Sequence, residues 1–212
     1  MAENIVTPDA IEEPALEPVS AEAYMERYAH DYYEWVEGEL FKMHPVSLRH
    51  DDLSQYLADI FRAYFALNPI GIVRLAPFVM RVDATKSRRE PDLQVILESN
   101  PGDLTDTAMV GPADICVEIV SLESAARDRG EKFIEYEKGG VKEYWLIDPH
   151  HEEAIFYRLN EKEIYKSIAL DKSGDYQTPA LPGLRLHVPT LWQEKLPGII
   201  SIVESVRGML EE

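Results

Sequence analysis

Residues 114–148 change hydrophobic period twice, and no other stretch restricts the possible architectures of the chain so tightly. The run DICVEIV (114–120) is short, apolar and rich in β-branched residues, as in a buried strand. Residues 121–140, SLESAARDRGEKFIEYEKGG, read as a helix approach followed by a helix. Asp128 is placed as its N-cap, Glu131 follows three positions later, and Gly139-Gly140 forms a stop. YWLIDP is then a second strand, closed by Pro149. Strand, helix and strand in one sheet predict parallel strands joined by a right-handed crossover.

The flanking segments extend this to an α/β fold, a mixed sheet of four or more strands flanked by helices. Ser20 caps a short N-terminal helix, and a hairpin turning at Glu37-Gly38 follows. Residues 47–67 place Leu53, Tyr56, Leu57, Ile60, Phe61, Tyr64 and Phe65 at helical spacing, with the helix ended by Asn68-Pro69. GIVRLA, FVMRVD and PDLQVIL are further strands, and AIFYRL with EIYKSIAL makes an added hairpin. Residues 1–19, Pro- and Glu-rich and aperiodic, read as a disordered acidic tail ahead of a single domain over 20–212. No basic and apolar leader opens the chain, and no apolar run is long enough to span a membrane. Cys116 is the only cysteine and stands between apolar neighbours, so a reducing, cytoplasmic setting is expected.

Glu118 is the conspicuous charge. It interrupts ICVEIV, where a carboxylate is costly to bury unless it is paired or binds a cation. A solvent-facing strand or a buried arginine would be the plainer explanation. Asp92 opens the strand PDLQVIL, and by itself reads as a polar strand end. Lys132 lies one turn into the helix after Glu118, where most lysines are simply solvated. Together the three make a chemical set. Two carboxylates from neighbouring strands can hold a hard divalent ion, with water and phosphate completing its shell. An ammonium beside them can orient a water or offset developing charge. Such a site requires Lys132 to point into the same pocket and at least one carboxyl to have a raised pKa. A Walker loop, G-x-S-x-G, H-E-x-x-H and a Rossmann glycine fingerprint are all missing from the sequence.

The segments REPDLQVIL and VEIVSLESAARDRGEKFIEYEKGGVKEYWLIDP resemble the Uma-two family of restriction-endonuclease-like proteins, a branch of the PD-(D/E)XK nuclease superfamily. VEGELFKM and RHDDLSQYL resemble it too, so the likeness covers roughly residues 30–160. It implies a restriction-endonuclease-like sheet core and a Mg2+-dependent endonuclease, with Mn2+ as the alternative ion and DNA as substrate. By this likeness Asp92 and Glu118 are catalytic metal ligands and Lys132 the catalytic lysine. Val120 stands where the superfamily has lysine, and Leu122-Glu123-Ser124 replaces the usual segment after the strand. Glu39 matches an acidic family position, and reads either as a third carboxylate of the site or as turn decoration. Asp128 and Tyr136 match as well, but capping and packing account for them. His50 reads as a surface or capping residue.

The net charge of −18 opposes tight non-specific DNA binding, because phosphate contacts supply most of that affinity. Lys86, Arg88 and Arg89 form the densest basic segment and directly precede Asp92. They are expected on a loop at the rim of the cleft, touching phosphate; a solvated turn is the plain alternative. A homodimer is expected because a double-strand cutter must present two sites. A catalytically lapsed fold retained as an interaction module is the competing reading, and a hydrolase of small phosphorylated metabolites is a third.

Overall fold

A computed structural model describes residues 18–211 apart from His30. The acidic tail expected at 1–19 therefore falls almost wholly outside the described residues. The chain opens with α1 (Ala21–Arg27), then the hairpin β1 (Tyr33–Val36) and β2 (Glu39–Lys42), then α2 (Leu48–Leu67). β3 (Gly71–Leu75), β4 (Val79–Val82), β5 (Ser87–Arg89), β6 (Leu93–Leu97), β7 (Asp103–Leu104), β8 (Ala108–Val110) and β9 (Ile115–Ile119) follow. α3 (Ala125–Arg129) and α4 (Glu131–Gly139) lead to β10 (Glu143–Asp148), β11 (Glu153–Leu159) and β12 (Tyr165–Ile168). The small hairpin β13 (Asp175–Gln177) and β14 (Arg185–His187) precedes α5 (Ile199–Glu211).

The strands form two six-stranded sheets, ordered β2-β1-β5-β4-β8-β7 and β12-β11-β10-β9-β6-β3, with β13-β14 separate. β9 and β10 run parallel, so the expected crossover is present. The hairpin of β11 and β12 is also as expected. The stretch after β6 contributes the short strands β7 and β8 to the first sheet.

Alternation along β9 sorts its side chains between two cores. Ile115, Val117 and Ile119 join Leu53, Leu57 and Phe61 of α2, together with Ile202 and Val206 of α5. Cys116 and Val120 face the other way, onto Tyr136 of α4 and Met80 of β4. Each such fully buried aliphatic or aromatic side chain contributes about 1.5–3 kcal/mol. Glu118 has the same parity as Cys116 and Val120, so the pleat aims its carboxylate at α4. On α4, Lys132 and Tyr136 are four residues apart and share the face that meets it. One residue of periodicity in each element thus sets the charge opposite its partner.

Two local features position the rest of the site. Glu37 and Gly38 both have positive φ, 50° and 102°, which makes the tight turn that matches a hairpin's twist. That turn fixes the register of β1, whose Trp35 and Glu34 are buried. The helix expected over 128–138 is broken at Gly130, where a Cβ would meet the Ala126 carbonyl oxygen at 2.9 Å. Asp128 consequently lies inside α3 and is no N-cap; α4 starts from Gly130 without a side-chain cap.

Candidate active site

β6 and β9 pair antiparallel with Leu93 opposite Val117, and one further step in that register sets Asp92 level with Glu118. Asp92 Oδ2 accepts from the Ile119 backbone N–H at 2.6 Å, so the carboxylate is pinned to the strand that carries Glu118. His50, in the first turn of α2, places Nε2 3.1 Å from the same oxygen. Ser47 caps that turn by accepting from the His50 N–H, which holds the imidazole over the sheet. His50 is 7% exposed, and its Nδ1 is buried without a partner. Burial opposes its protonation, but the bond and charge of Asp92, with Asp128, raise its pKa above the usual imidazole value.

Lys132 enters from α4. Its ammonium lies 2.9 Å from Glu118 Oε2, 3.3 Å from Asp128 Oδ1 and 3.5 Å from Glu34 Oε1. Burial alone would discharge it, but Glu118, Glu34 and Asp128 outweigh that and raise its pKa well above the ordinary lysine value. Glu118 accepts a second bond, from the Tyr136 hydroxyl, at 2.6 Å. Burial pushes the Glu118 carboxyl up to about 8 against the pull of Lys132, and Asp128, Asp92 and Glu34 add to the rise. Glu34 goes the other way. Burial opposes its ionisation, yet Lys132, Arg89 and the Glu90 N–H hold it down at about 2. This site is a buried crowd of carboxylates with too few cations, and both Asp128 carboxylate oxygens lack a hydrogen-bond partner.

The residues surround a small pocket whose wall includes Glu34, Asp92, Glu118, Ile119, His50 and Lys132. Its volume is about 70 Å³, room for a few waters or a hydrated ion. The oxygen donors and the uncompensated negative charge suit a hard cation. Among the described residues, no three His, Cys, Asp or Glu are arranged as a metal cage.

Several expectations need correcting. Glu39 opens β2 with its side chain exposed, and it does not line the pocket. The hairpin carboxylate that reaches Lys132 is Glu34, whose neighbour Trp35 masked it as ordinary strand alternation. Arg88 and Arg89 do not form a rim loop; they lie in β5 and are 5% and 0% exposed. Arg89 grips Glu135 with Nε and a terminal nitrogen and bonds Glu34 at 2.9 Å. Arg88 bonds Asp83 and covers the Trp35 ring. Arg89 is thus spent on Glu34 and Glu135 and Arg88 on the exposed Asp83; Lys86 alone of the trio is exposed, at the left-handed residue before β5. His50 is a wall of the pocket and no surface residue. Tyr136 packs as expected and also donates to Glu118. The spacing Asp128, Lys132, Tyr136, four residues each, was the signal for these partners.

Residues 21–189 match the family described as "Uma2: Putative restriction endonuclease". Among solved structures, the chain is similar to a protein described as "a putative nuclease belonging to DUF820" from Anabaena variabilis ATCC 29413. The TM-score is 0.70 over 82% of this chain and 98% of that one, at 16% sequence identity, a likeness of fold. A search of curated proteins finds none that matches.

Proposed function

We propose, for a chain that belongs to the Uma2 family of restriction-endonuclease-like proteins, that the pocket hydrolyses DNA phosphodiester bonds with a divalent cation, Mg2+ or in its place Mn2+. The observation that carries this reading is the convergence of Asp92, Glu118 and Lys132 on one pocket. Asp92 and Glu118 would hold the ion. When bound, it supplies Lewis acidity to a phosphoryl oxygen and lowers the pKa of a ligated water.

The chain's own residues do the rest. The Ile119 N–H and His50 fix Asp92 through Oδ2 and leave its other oxygen for a ligand role. Tyr136 fixes Glu118 through Oε1. Glu34, Asp128 and Glu118 keep Lys132 charged inside a dry wall, where an ammonium is worth more to developing phosphorane charge than in water.

A paired assembly would set two such pockets on the two strands of a duplex, and the buried lone thiol Cys116 suits a cytoplasmic setting. Among the described residues, no helix is long and apolar enough to cross a membrane. The net charge of −18 favours the alternative, a lapsed fold serving as an interaction module. Nicking of supercoiled plasmid separates the two: activity in Mg2+ that EDTA abolishes supports the nuclease, and its absence in both Mg2+ and Mn2+ supports the module.

A further inference from the structure

The pocket wall is acidic where a phosphate would have to come. Glu34, Asp92, Glu118 and Glu123 all line it. One divalent ion offsets two of those charges, and Lys132 is already shared among Glu118, Asp128 and Glu34. An anionic substrate would meet net repulsion unless another cation faced it. The basic segment of 86–89 does not supply one, because Arg88 and Arg89 are buried against carboxylates.

Arg127 does face the pocket. It lies in α3 and is half-buried. Arg88, Arg89 and Arg129 each sit on a carboxylate, whereas Arg127 has no ion pair among the described residues. What holds it is the Phe41 ring of the N-terminal hairpin, with the guanidinium carbon 5.7 Å from the ring centroid. This cation–π contact, on a ring that also takes the Arg89 guanidinium at 5.4 Å, uses none of the Arg127 N–H donors and leaves the planar fork for bidentate contact with phosphate.

We infer that Arg127 contacts the substrate backbone phosphate at the mouth of the pocket, seated for that role by Phe41. The inference rests on the nuclease reading and deepens it. It explains how a strongly acidic chain admits a polyanion: one uncompensated guanidinium acts beside the ion, without a basic face.

The test compares plasmid nicking by the wild type, Arg127→Gln and Arg127→Lys in Mg2+ over a range of salt concentrations. Arg127→Gln is expected to raise KM about 10-fold, the loss of one charge-assisted hydrogen-bonding group, with kcat little changed. Its plot of log kcat/KM against log salt should be shallower by about one contact. Arg127→Lys, which keeps the charge, should retain the wild-type slope. Calorimetric titration should give both variants the wild-type Mg2+ affinity. An unchanged KM and slope in Arg127→Gln overturns the assignment, as does an equal loss in both variants with the slope preserved, which marks a packing role on Phe41. Absence of nicking by the wild type instead removes the nuclease reading itself, and this inference with it.

Discussion

The Lys132 ammonium lies 2.9 Å from Glu118 Oε2, and both side chains are almost entirely buried. The pair joins β9 to the first turn of α4, so the crossover itself creates the contact. Each charge offsets part of the cost of burying the other.

Replacing Lys132 by Met should therefore destabilise the fold, because Glu118, Asp128 and Glu34 would be left facing one another. The expected loss is about 3–5 kcal/mol, as when one partner of a buried pair is removed. Urea denaturation at pH 7 measures it; an unchanged midpoint would show that the carboxylates find other compensation.

Arg89→Ala should act in the same way and by a similar amount, about 3–5 kcal/mol, since it strips Glu34 and Glu135 of their partner. The quantity to compare is stability against DNA affinity. A folded, fully stable Arg89→Ala protein with weakened DNA binding would return this residue to the phosphate-contact role that its burial denies.

Glu34 sets an acid limit on stability. Its carboxyl titrates at about 2 in the folded chain, below the ordinary glutamate value, so the folded state binds fewer protons than the unfolded state in between. Its contribution is complete above the unfolded pKa and is lost as pH falls through about 2. Glu34→Gln should cost about 3 kcal/mol at pH 7, and progressively less as acid approaches pH 2. Urea midpoints of the two proteins along that series provide the check; a penalty independent of pH would contradict it.

His50→Ala should leave Asp92 without one of its two restraints. Groups that orient a ligating carboxylate typically carry about 10–100-fold in metal affinity. Calorimetric titration with Mg2+ and Mn2+ reads this directly, and equal affinities in variant and wild type would reduce the imidazole to packing.

The parts legible in the sequence were those governed by local period. The hairpin at Glu37-Gly38, α2, β9 and β10 all announce themselves through alternation, helical spacing or turn chemistry. So did Glu118, because a charge inside ICVEIV demands a reason. What stayed hidden was long-range. Glu34 meets Lys132 across 98 residues of chain, and nothing in YEWV marks it for that contact. Arg88 and Arg89 look like a solvated turn until β5 is seen between β1 and β4, where its neighbours close over both guanidiniums. His50, at a helix start, reads as a surface or capping residue, and only the packing of α2 over Asp92 brings it to the pocket. The break at Gly130, where the backbone leaves helical dihedrals at φ −120° and ψ −82°, has no signal in composition.

The central claim is that Asp92 and Glu118 act together as the carboxylates of a metal-dependent phosphodiesterase site. Initial rates of supercoiled-plasmid nicking in Mg2+, by wild type, Asp92→Asn and Glu118→Gln at equal folded fraction, test it most directly. The account predicts EDTA-sensitive nicking by the wild type and a loss of at least about 100-fold in each variant, the scale of removing a group that supports transition-state charge. Wild-type rates in either variant, or nicking that persists in EDTA, would contradict it.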